Sequence, residues 1–325
     1  MKATALAQLQ QFTTIVADSG DLNAIAQLRP LDATTNPSLI TAAAMQPENL
    51  ALIESAFDQA RSEGYQDDAL IERSIDILTV KLGVEILKLI QGRVSTEVDA
   101  ALSYDTNATI AKARELLALY QEYGIQQDRI LIKIASTWEG IQAARILEAE
   151  GIHCNLTLLF GLTQARACAD ANVTLISPFV GRILDWYKKA EAIDSYPIEQ
   201  DPGVNSVKQI YQYYKQHGVS TEVMGASFRS IEQVLALAGC DLLTVAPNLL
   251  QQLAETKQEV TPVLSAQAAT AQAADALDEQ TFKTELEHDL MATQLLQGGI
   301  DGFIKARQQL HQLLASATAQ AEISA

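Results

Sequence analysis

Short runs rich in β-branched and apolar residues recur eight times along this chain, and stretches with helical periodicity separate them. Strands that alternate with helices form parallel sheets, because each helix carries the chain back to the edge where the next strand begins. The sequence therefore predicts an α/β fold. The eight runs are TTIVAD near residue 13, LDATTN at 31, RVSTEVDA at 93, RILIKIA at 129, HCNLTLLF at 153, VTLISPF at 173, TEVMGASF at 221 and DLLTVAP at 241.

Eight strand and helix units favour a closed (β/α)8 TIM barrel, and a doubly wound open sheet is the competing fold. An open sheet of that kind usually carries a Gly-rich phosphate turn, and this chain contains neither GxGxxG nor GxxxxGK[ST]. We therefore predict one barrel domain over residues 1–325, with extra helices in residues 38–91. An Ala/Gln-rich connection at 264–280 precedes a predicted helix from about 290 to 314 and a frayed tail over 315–325.

The charge balance narrows the possible partners. The chain carries 40 acidic and 23 basic residues, and its net charge of −17 argues against nucleic acid and against an anionic membrane surface. Any anionic ligand then needs a local basic pocket. The N-terminus lacks the pattern of a signal peptide, so we expect a cytoplasmic protein.

The spacing of cysteine and histidine argues against a metal site. Cys154, Cys168 and Cys240 lie in apolar surroundings without CxxC spacing, and the four histidines show no HxH or HExxH pattern. We therefore expect buried free thiols, no metal and no cofactor.

The run ILIKIA at residues 130–135 places a lysine in the middle of an apolar strand. Side chains alternate between the two faces of a strand. If Ile130, Ile132 and Ile134 point outward to the helices, Lys133 points into the barrel.

The same alternation brings polar side chains from other strands to the barrel interior. A barrel core is ordinarily filled by Val, Ile and Leu, and an unpaired buried polar group costs about 1 to 3 kcal/mol, so stability does not explain such a set. Because barrel active sites gather at the C-terminal face, we interpret the set as a functional site. A structural ion pair of the lysine with Glu97, Asp18 or Asp99 is the alternative. The polar residues are Asp18, Asp32, Thr34, Asn36, Glu97, Asp99, Asn155, Thr157, Ser177 and Ser227.

A buried lysine among carboxylates suits one type of chemistry. A desolvated lysine loses its proton more easily, and the free amine attacks a carbonyl to form a Schiff base. That Schiff base is an electron sink, so a neighbouring C–C bond can break and re-form without metal or cofactor. Asp18 and Glu97 are the candidate acid and base. Arg182 and Arg229, which follow the sixth and seventh strands, are candidates for a phosphate clamp, and solvated surface ion pairs are the alternative for both.

Seven segments of the chain resemble the transaldolase family, and they follow in the family's order from about residue 10 to 253. The resemblance implies transfer of a dihydroxyacetone unit through a lysine Schiff base. The donor is a ketose phosphate (sedoheptulose 7-phosphate or fructose 6-phosphate) and the acceptor an aldose phosphate (glyceraldehyde 3-phosphate or erythrose 4-phosphate). It further implies the pentose phosphate pathway, a homodimer and no cofactor. The segments are VADSGD at 16–21, DATTNPSLI at 32–40, STEVDA at 95–100, ILIKIAST at 130–137, CNLTLLF at 154–160, SPFVGRILDWY at 177–187 and GASFR at 225–229.

The resemblance also implies a role for each matching residue. Lys133 resembles the Schiff-base lysine, and Asp18 resembles the acid/base that takes the proton of the donor's C4 hydroxyl. Glu97 and Thr157 resemble the pair that positions a water for proton transfer. The remaining substrate-binding candidates are Asn36, Asn155 and Ser177 for the dihydroxyacetone hydroxyls, and Arg182, Ser227 and Arg229 for the phosphate. Thr34 is a further substrate-binding candidate without an assigned part of the substrate.

Phe179 separates this chain from shorter relatives that cleave fructose 6-phosphate as simple aldolases and carry a tyrosine there. A phenyl ring has no hydroxyl with which to orient a water that protonates the enamine intermediate, so transfer to an acceptor is favoured. We count Phe179 among the substrate-binding candidates. A fructose 6-phosphate aldolase and a non-catalytic barrel that binds sugar phosphate are the alternatives.

Overall fold

Eight parallel strands close into a barrel in which each strand pairs with its neighbours in the sequence and the last pairs with the first. The computed structural model describes residues 3–266 and 276–324, with side chains up to residue 316. Each of the eight predicted runs contains one strand, which confirms the (β/α)8 barrel. The strands are β1 (Thr14–Asp18), β2 (Asp32–Thr34), β3 (Val94–Glu97), β4 (Ile130–Ala135), β5 (Cys154–Leu159), β6 (Leu175–Pro178), β7 (Glu222–Gly225) and β8 (Leu242–Val245).

Helices follow the strands around the barrel, and three of them occupy the segment between β2 and β3 where the sequence predicted extra helices. Among the described residues, no helix is both long enough and apolar enough to cross a membrane. The α-helices are α1 (Ala5–Leu9), α2 (Leu22–Leu28), α3 (Pro37–Ala44), α4 (Leu50–Ser62), α5 (Asp67–Leu89), α6 (Thr106–Glu122), α7 (Trp138–Ala149), α8 (Leu162–Asp170), α9 (Val180–Glu191), α10 (Pro202–Gln216), α11 (Ile231–Leu235), α12 (Pro247–Glu255), α13 (Glu279–His288) and α14 (Leu290–Ser324). Single 3₁₀ turns cover Pro47–Asn49, Ala100–Leu102, Gln127–Arg129 and Ile198–Gln200.

The alternation of side chains along β4 is as the sequence predicted. Ile130, Ile132 and Ile134 belong to the large core between the barrel and its helices. Leu131 points the other way and packs in a small separate cluster with Val16, Leu175, Met224 and Leu242. Each of these five residues comes from a different strand. They form an apolar floor inside the barrel, and the next inward-facing residue of β4 above this floor is Lys133.

Side chains cap the helices that follow β3 and β4. Asp105 caps α6, since its Oδ1 accepts a hydrogen bond from the backbone N–H of Ala108 at 2.9 Å. Ser136 and Glu139 have the spacing of a capping box, but Thr137 caps α7, since its Oγ1 accepts the backbone N–H of Gly140 at 2.9 Å. The Ser136 hydroxyl instead donates to the backbone oxygen of Thr157 at 2.7 Å, and this bond ties β4 to β5.

Helix α14 lies across the end of the barrel where the strands have their carboxyl ends, which we call the mouth. The Thr41 hydroxyl of α3 donates to the backbone oxygen of Ala306 at 3.0 Å, and Trp186 Nε1 of α9 donates to Gln294 Oε1 at 2.8 Å. The sequence predicted that this helix ends near residue 314. In the structure it continues to Ser324. The helix continues through the segment that was expected to fray because this segment is rich in alanine, which has the highest helix propensity. Of the predicted Ala/Gln-rich connection, residues 267–275 lie outside the described residues.

The three cysteines are free and buried, as predicted. Burial raises the pKa of the Cys240 thiol to about 12, and it also raises the pKa values of Cys154 and Cys168. All three thiols are therefore protonated and unreactive near neutral pH.

Candidate active site

Lys133 lies inside the barrel and is 4% exposed. It pairs in register with Glu97 of β3 on one side and with Asn155 of β5 on the other. Its Nζ donates a hydrogen bond to the backbone oxygen of Thr35 at 3.1 Å and lies 3.5 Å from Glu97 Oε2. The lysine therefore has an acidic neighbour, but the contact is longer than the charge-assisted hydrogen bond of a tight ion pair.

Glu97 is buried beside this lysine, with 4% of its side chain exposed. Burial raises the pKa of Glu97 to about 7, although the nearby Lys133 ammonium acts in the opposite direction. A carboxyl group with this pKa both gives and accepts a proton near neutral pH, as a general acid or base must.

Asp18 is the second carboxylate of the site and stands at the carboxyl end of β1. Thr34 Oγ1 donates to Asp18 Oδ1 at 3.2 Å and lies 3.0 Å from Thr244 Oγ1. Burial raises the pKa of Asp18, while the Lys133 charge and the hydrogen bond from Thr34 act to lower it. The site thus holds two carboxyl groups on different strands, both with a raised pKa and both influenced by one lysine.

Two buried oxygens of this site have no hydrogen-bond partner among the described residues, namely Thr157 Oγ1 and Glu97 Oε2. Thr157 is fully buried on the inner face of β5, two residues after Asn155. A buried polar group without a partner costs about 1 to 3 kcal/mol, so such groups are uncommon unless they have a functional role.

Asn155 is held in one orientation by two hydroxyl groups. Its Nδ2 donates to Ser95 Oγ at 3.0 Å, and its Oδ1 accepts a hydrogen bond from Ser177 Oγ at 2.6 Å. Asn36 is placed by different means, because it caps α3 and its Oδ1 accepts the backbone N–H of Leu39 at 3.0 Å. The two amides therefore offer preorganised polar groups at the mouth.

Arg182 stands in the first turn of α9, just beyond β6. Its guanidinium makes no salt bridge and no hydrogen bond with any residue that the structure describes. Its Cζ instead lies 4.9 Å from the ring centroid of Phe179 and 5.6 Å from that of Phe303. Burial lowers the pKa of Arg182, and the charge of Arg229 acts in the same direction, whereas Glu97, Asp18 and Asp185 act to raise it.

Arg229 approaches the same place from the loop after β7, but it is paired. Its Nη2 lies 2.7 Å from Asp185 Oδ2, and its Nη1 donates to Ser227 Oγ at 3.3 Å. The half-exposed pair with Asp185 is the surface ion pair that the sequence left open as an alternative for this arginine. Ser227 itself has a φ of +62°, and its backbone oxygen accepts the N–H of Gly181 at 2.7 Å. The start of α9 and the loop after β7 are therefore fixed together.

Phe179 directly follows β6 and is buried, with 7% of its surface exposed. Its ring meets Phe160 edge-on, with centroids 5.5 Å apart. The ring thus lies between the apolar packing of the mouth and the guanidinium of Arg182.

Residues that the sequence reasoning did not include also belong to this arrangement. Ser95 holds Asn155, and Thr244 contacts Thr34. Both could have been found, since they lie on the inner faces of their strands by simple alternation. The predicted polar set also contained Asp32, which lies at the opposite end of the barrel, where Arg93 Nη2 pairs with its Oδ2 at 3.0 Å. Asp99 likewise does not pair with the lysine.

Comparisons with known proteins agree with this arrangement. The family model described as Transaldolase/Fructose-6-phosphate aldolase matches residues 15–314. A protein of Cellvibrio japonicus named "Transaldolase" is 56% identical over 312 residues, which cover 96% of this chain and 98% of that protein. Another of that name from Trichormus variabilis is 54% identical over 330 aligned positions, which cover 100% and 99% of the two chains. A third, from Prochlorococcus marinus, is 56% identical over 313 residues, 95% of this chain and 94% of the relative.

The family model spans the barrel from β1 into the C-terminal helix, and these relatives match over nearly their whole length. This chain belongs to the transaldolase/fructose-6-phosphate aldolase family.

Proposed function

We propose that this protein is a transaldolase that uses Lys133 as its Schiff-base residue. It transfers a dihydroxyacetone unit from sedoheptulose 7-phosphate or fructose 6-phosphate to glyceraldehyde 3-phosphate or erythrose 4-phosphate, as part of the pentose phosphate pathway. The observation that carries the proposal is the buried Lys133, whose charge acts on two carboxyl groups of raised pKa, Asp18 and Glu97, in a chain of this family.

The reaction begins at the C2 carbonyl of the ketose. The neutral amine of Lys133 attacks this carbon, and the carbinolamine loses water to give a protonated Schiff base. Asp18 then takes the proton of the C4 hydroxyl, the C3–C4 bond breaks, and its electron pair moves into the Schiff base as an enamine. The aldose leaves with its new aldehyde, and the same steps in reverse attach the enamine carbon to the acceptor.

Glu97 and Thr157 serve the proton transfers that form and hydrolyse the Schiff base. Glu97 lies 3.5 Å from Nζ, and its pKa of about 7 suits both giving and taking a proton. The Thr157 hydroxyl, which has no hydrogen-bond partner within residues 3–266 and 276–316, is available to hold the water that leaves and returns. Asn155, Ser177 and Asn36 bind the dihydroxyacetone hydroxyls.

Two arginines bind the substrate phosphate at the far end of the site. The Arg182 donors are not used by any described protein group, and Arg229 is oriented by its contacts to Ser227 and Asp185. Guanidinium groups match phosphate oxygens in pairs, so two of them beyond adjacent strands form a clamp.

A simple aldolase is the second candidate within this family, and Phe179 argues against it. The residue offers the enamine an apolar ring rather than a hydroxyl, so no group at this position directs a water to the carbon that would be protonated. The intermediate therefore persists until an aldehyde acceptor arrives.

Trapping with borohydride tests the proposal. The protein is incubated with fructose 6-phosphate and borohydride, and the added mass is located by peptide mass spectrometry. In the parent protein we expect a reduced adduct on Lys133. In Lys133→Met we expect neither the adduct nor any dihydroxyacetone transfer. Lys112→Met is the matched control, since Lys112 is also partly buried but pairs with Asp76 away from the site. An adduct on another lysine, or unchanged transfer by Lys133→Met, would refute the assignment.

The proposal includes a homodimer and a cytoplasmic location, both of which the family resemblance supports. Multi-angle light scattering of the full chain measures the first, and cell fractionation the second. A monomer at micromolar concentration, or recovery outside the cytoplasmic fraction, would contradict these parts without affecting the chemistry.

A further inference from the structure

The guanidinium of Arg182 is oriented by aromatic rings rather than by a carboxylate. One ring, Phe179, comes from the same strand end as the arginine. The other, Phe303, belongs to α14 and is contributed by a distant part of the chain. We propose that Phe303 is a positioning residue for the reaction, which holds Arg182 in place to receive the substrate phosphate. This inference rests on the proposed role of Arg182 in binding phosphate.

The ring of Phe303 is fixed by its surroundings. It is 4% exposed and packs in the cluster that also contains Leu158, Phe160, Phe179 and Ile183. A ring that cannot move away presents a constant face to the cation above it. A guanidinium over an aromatic face is attracted by the ring's electrons, and the attraction grows when both groups are removed from water.

The backbone of α14 comes close to Arg182 at a second residue, Gly299. A Cβ at Gly299 would lie 2.6 Å from Leu158 Cδ2 and 3.2 Å from Arg182 Nη1. Gly299 precedes Phe303 by four residues, so both lie on the same face of the helix. Two successive turns of α14, at Gly299 and at Phe303, therefore lie next to Arg182.

Two rings contact the Arg182 guanidinium, and no carboxylate of the described residues makes a salt bridge with it; this arrangement matters for ligand binding. A carboxylate partner would compete with a phosphate for the N–H donors of Arg182, as Asp185 does at Arg229. An aromatic ring holds the plane of the guanidinium without using those donors. Arg182 is thus both oriented and free to donate, and it remains attractive to an anion because its charge is not neutralised by direct contact.

The test uses the full-length chain with Phe303→Leu, Phe303→Met and Phe303→Tyr. The measurements are the inhibition constant of inorganic phosphate and kcat and KM for fructose 6-phosphate and for D-fructose. The leucine and methionine variants fill the space without an aromatic face, so we expect the phosphate inhibition constant and the KM for fructose 6-phosphate to rise about five- to tenfold. We expect kcat for either donor and KM for D-fructose to change less than about twofold, and Phe303→Tyr to restore phosphate inhibition.

Two further variants separate the possible failures. Phe282→Leu removes an equally buried ring that packs on Trp138, and it should leave phosphate inhibition unchanged. Arg182→Leu should raise the phosphate inhibition constant more than any Phe303 variant.

If Arg182→Leu has no effect, the proposed phosphate site is wrong and the inference falls with it. If Arg182→Leu weakens phosphate but Phe303→Leu and Phe303→Met do not, the phosphate site stands and the inference is wrong. Equal losses with fructose 6-phosphate and D-fructose would show a general packing role and would also overturn it.

Discussion

Lys133 and Glu97 face each other across neighbouring strands, with Nζ 3.5 Å from Oε2, although only 6% and 4% of their side chains are exposed. The pKa of Glu97 is nevertheless raised to about 7, because burial outweighs the attraction of the lysine. The carboxyl group therefore changes its charge near neutral pH, and this change affects stability and, under the proposed mechanism, catalysis.

The pH dependence of unfolding should reveal Glu97. Its pKa in the folded protein is higher than its ordinary value of 4.5, so the folded state binds this proton more tightly than the unfolded state. The resulting stabilisation is fully present below 4.5 and is lost as the pH rises through about 7. We expect Glu97→Gln to remove this part of the dependence, so that the variant gains stability relative to the parent between pH 5 and 8.5. Urea unfolding across that range measures it, and parallel curves for the two proteins would contradict the prediction.

Thr157→Val should separate stability from activity. The Thr157 hydroxyl has no hydrogen-bond partner in the described part of the chain, so its removal should leave the unfolding free energy unchanged or slightly increased. If the hydroxyl holds the water of Schiff-base formation, kcat should fall about 10- to 100-fold.

Thr96→Val is the matched control for that change. Thr96 Oγ1 is hydrogen-bonded to the Tyr120 hydroxyl at 2.6 Å on the outer side of β3. This variant should lose about 1 to 3 kcal/mol of stability, because it leaves the buried phenol unpartnered, and it should keep its kcat. Unchanged kcat in Thr157→Val would remove Thr157 from the mechanism.

Phe179→Tyr should convert part of the transfer activity into release. The added hydroxyl can orient a water that protonates the enamine, so free dihydroxyacetone should form from fructose 6-phosphate without an acceptor, about tenfold faster or more. A coupled assay for dihydroxyacetone measures the rate. Because the ring under Arg182 is retained, phosphate inhibition should stay constant and serves as the internal control. No increase in release would mean that Phe179 does not govern the fate of the intermediate.

Gly181→Ala should disturb the phosphate site through the backbone. A Cβ at this position would meet the Ser227 backbone oxygen, and it would lie 2.9 Å from Arg229 Cγ. We expect Gly181→Ala to lower the free energy of unfolding by about 1 to 3 kcal/mol and to weaken inhibition by phosphate. Gly302→Ala on α14 is the opposite case, since no atom of the described residues lies within 4 Å of the added methyl group, and it should stabilise the protein by about 0.5 to 1 kcal/mol. Thermal melts and phosphate inhibition distinguish the two, and a fully active, stable Gly181→Ala would show that the contact is not needed.

The barrel and the inward direction of Lys133 could be predicted because they follow from local rules. Strand and helix alternate eight times, and two-residue periodicity decides which side chains of ILIKIA meet the helices. The same periodicity correctly placed Asn155 and Thr157 inside the barrel. It failed for Asp32, because alternation gives the face of a strand but not the distance along it.

Other features could not be predicted because they depend on contacts between distant parts of the chain. The pattern of α14 indicates a buried face, yet nothing in it specifies that this face covers the mouth and reaches Arg182. The sequence likewise did not identify Asp185 as the salt-bridge partner of Arg229, because any carboxylate near the guanidinium could form such a pair. At the start of α7, Ser136 and Thr137 are both good caps, and only the bond from Ser136 to β5 decides between them.

A ribosome makes all eight strands before it makes α14. A nascent chain that has just completed β8 therefore carries Lys133 and Phe179 but not yet Phe303. Because a domain folds as a unit, the mouth has all the residues that build it only once α14 has been synthesised. Under the proposed roles of these residues, the amine that attacks the sugar is translated well before the ring that completes the phosphate site.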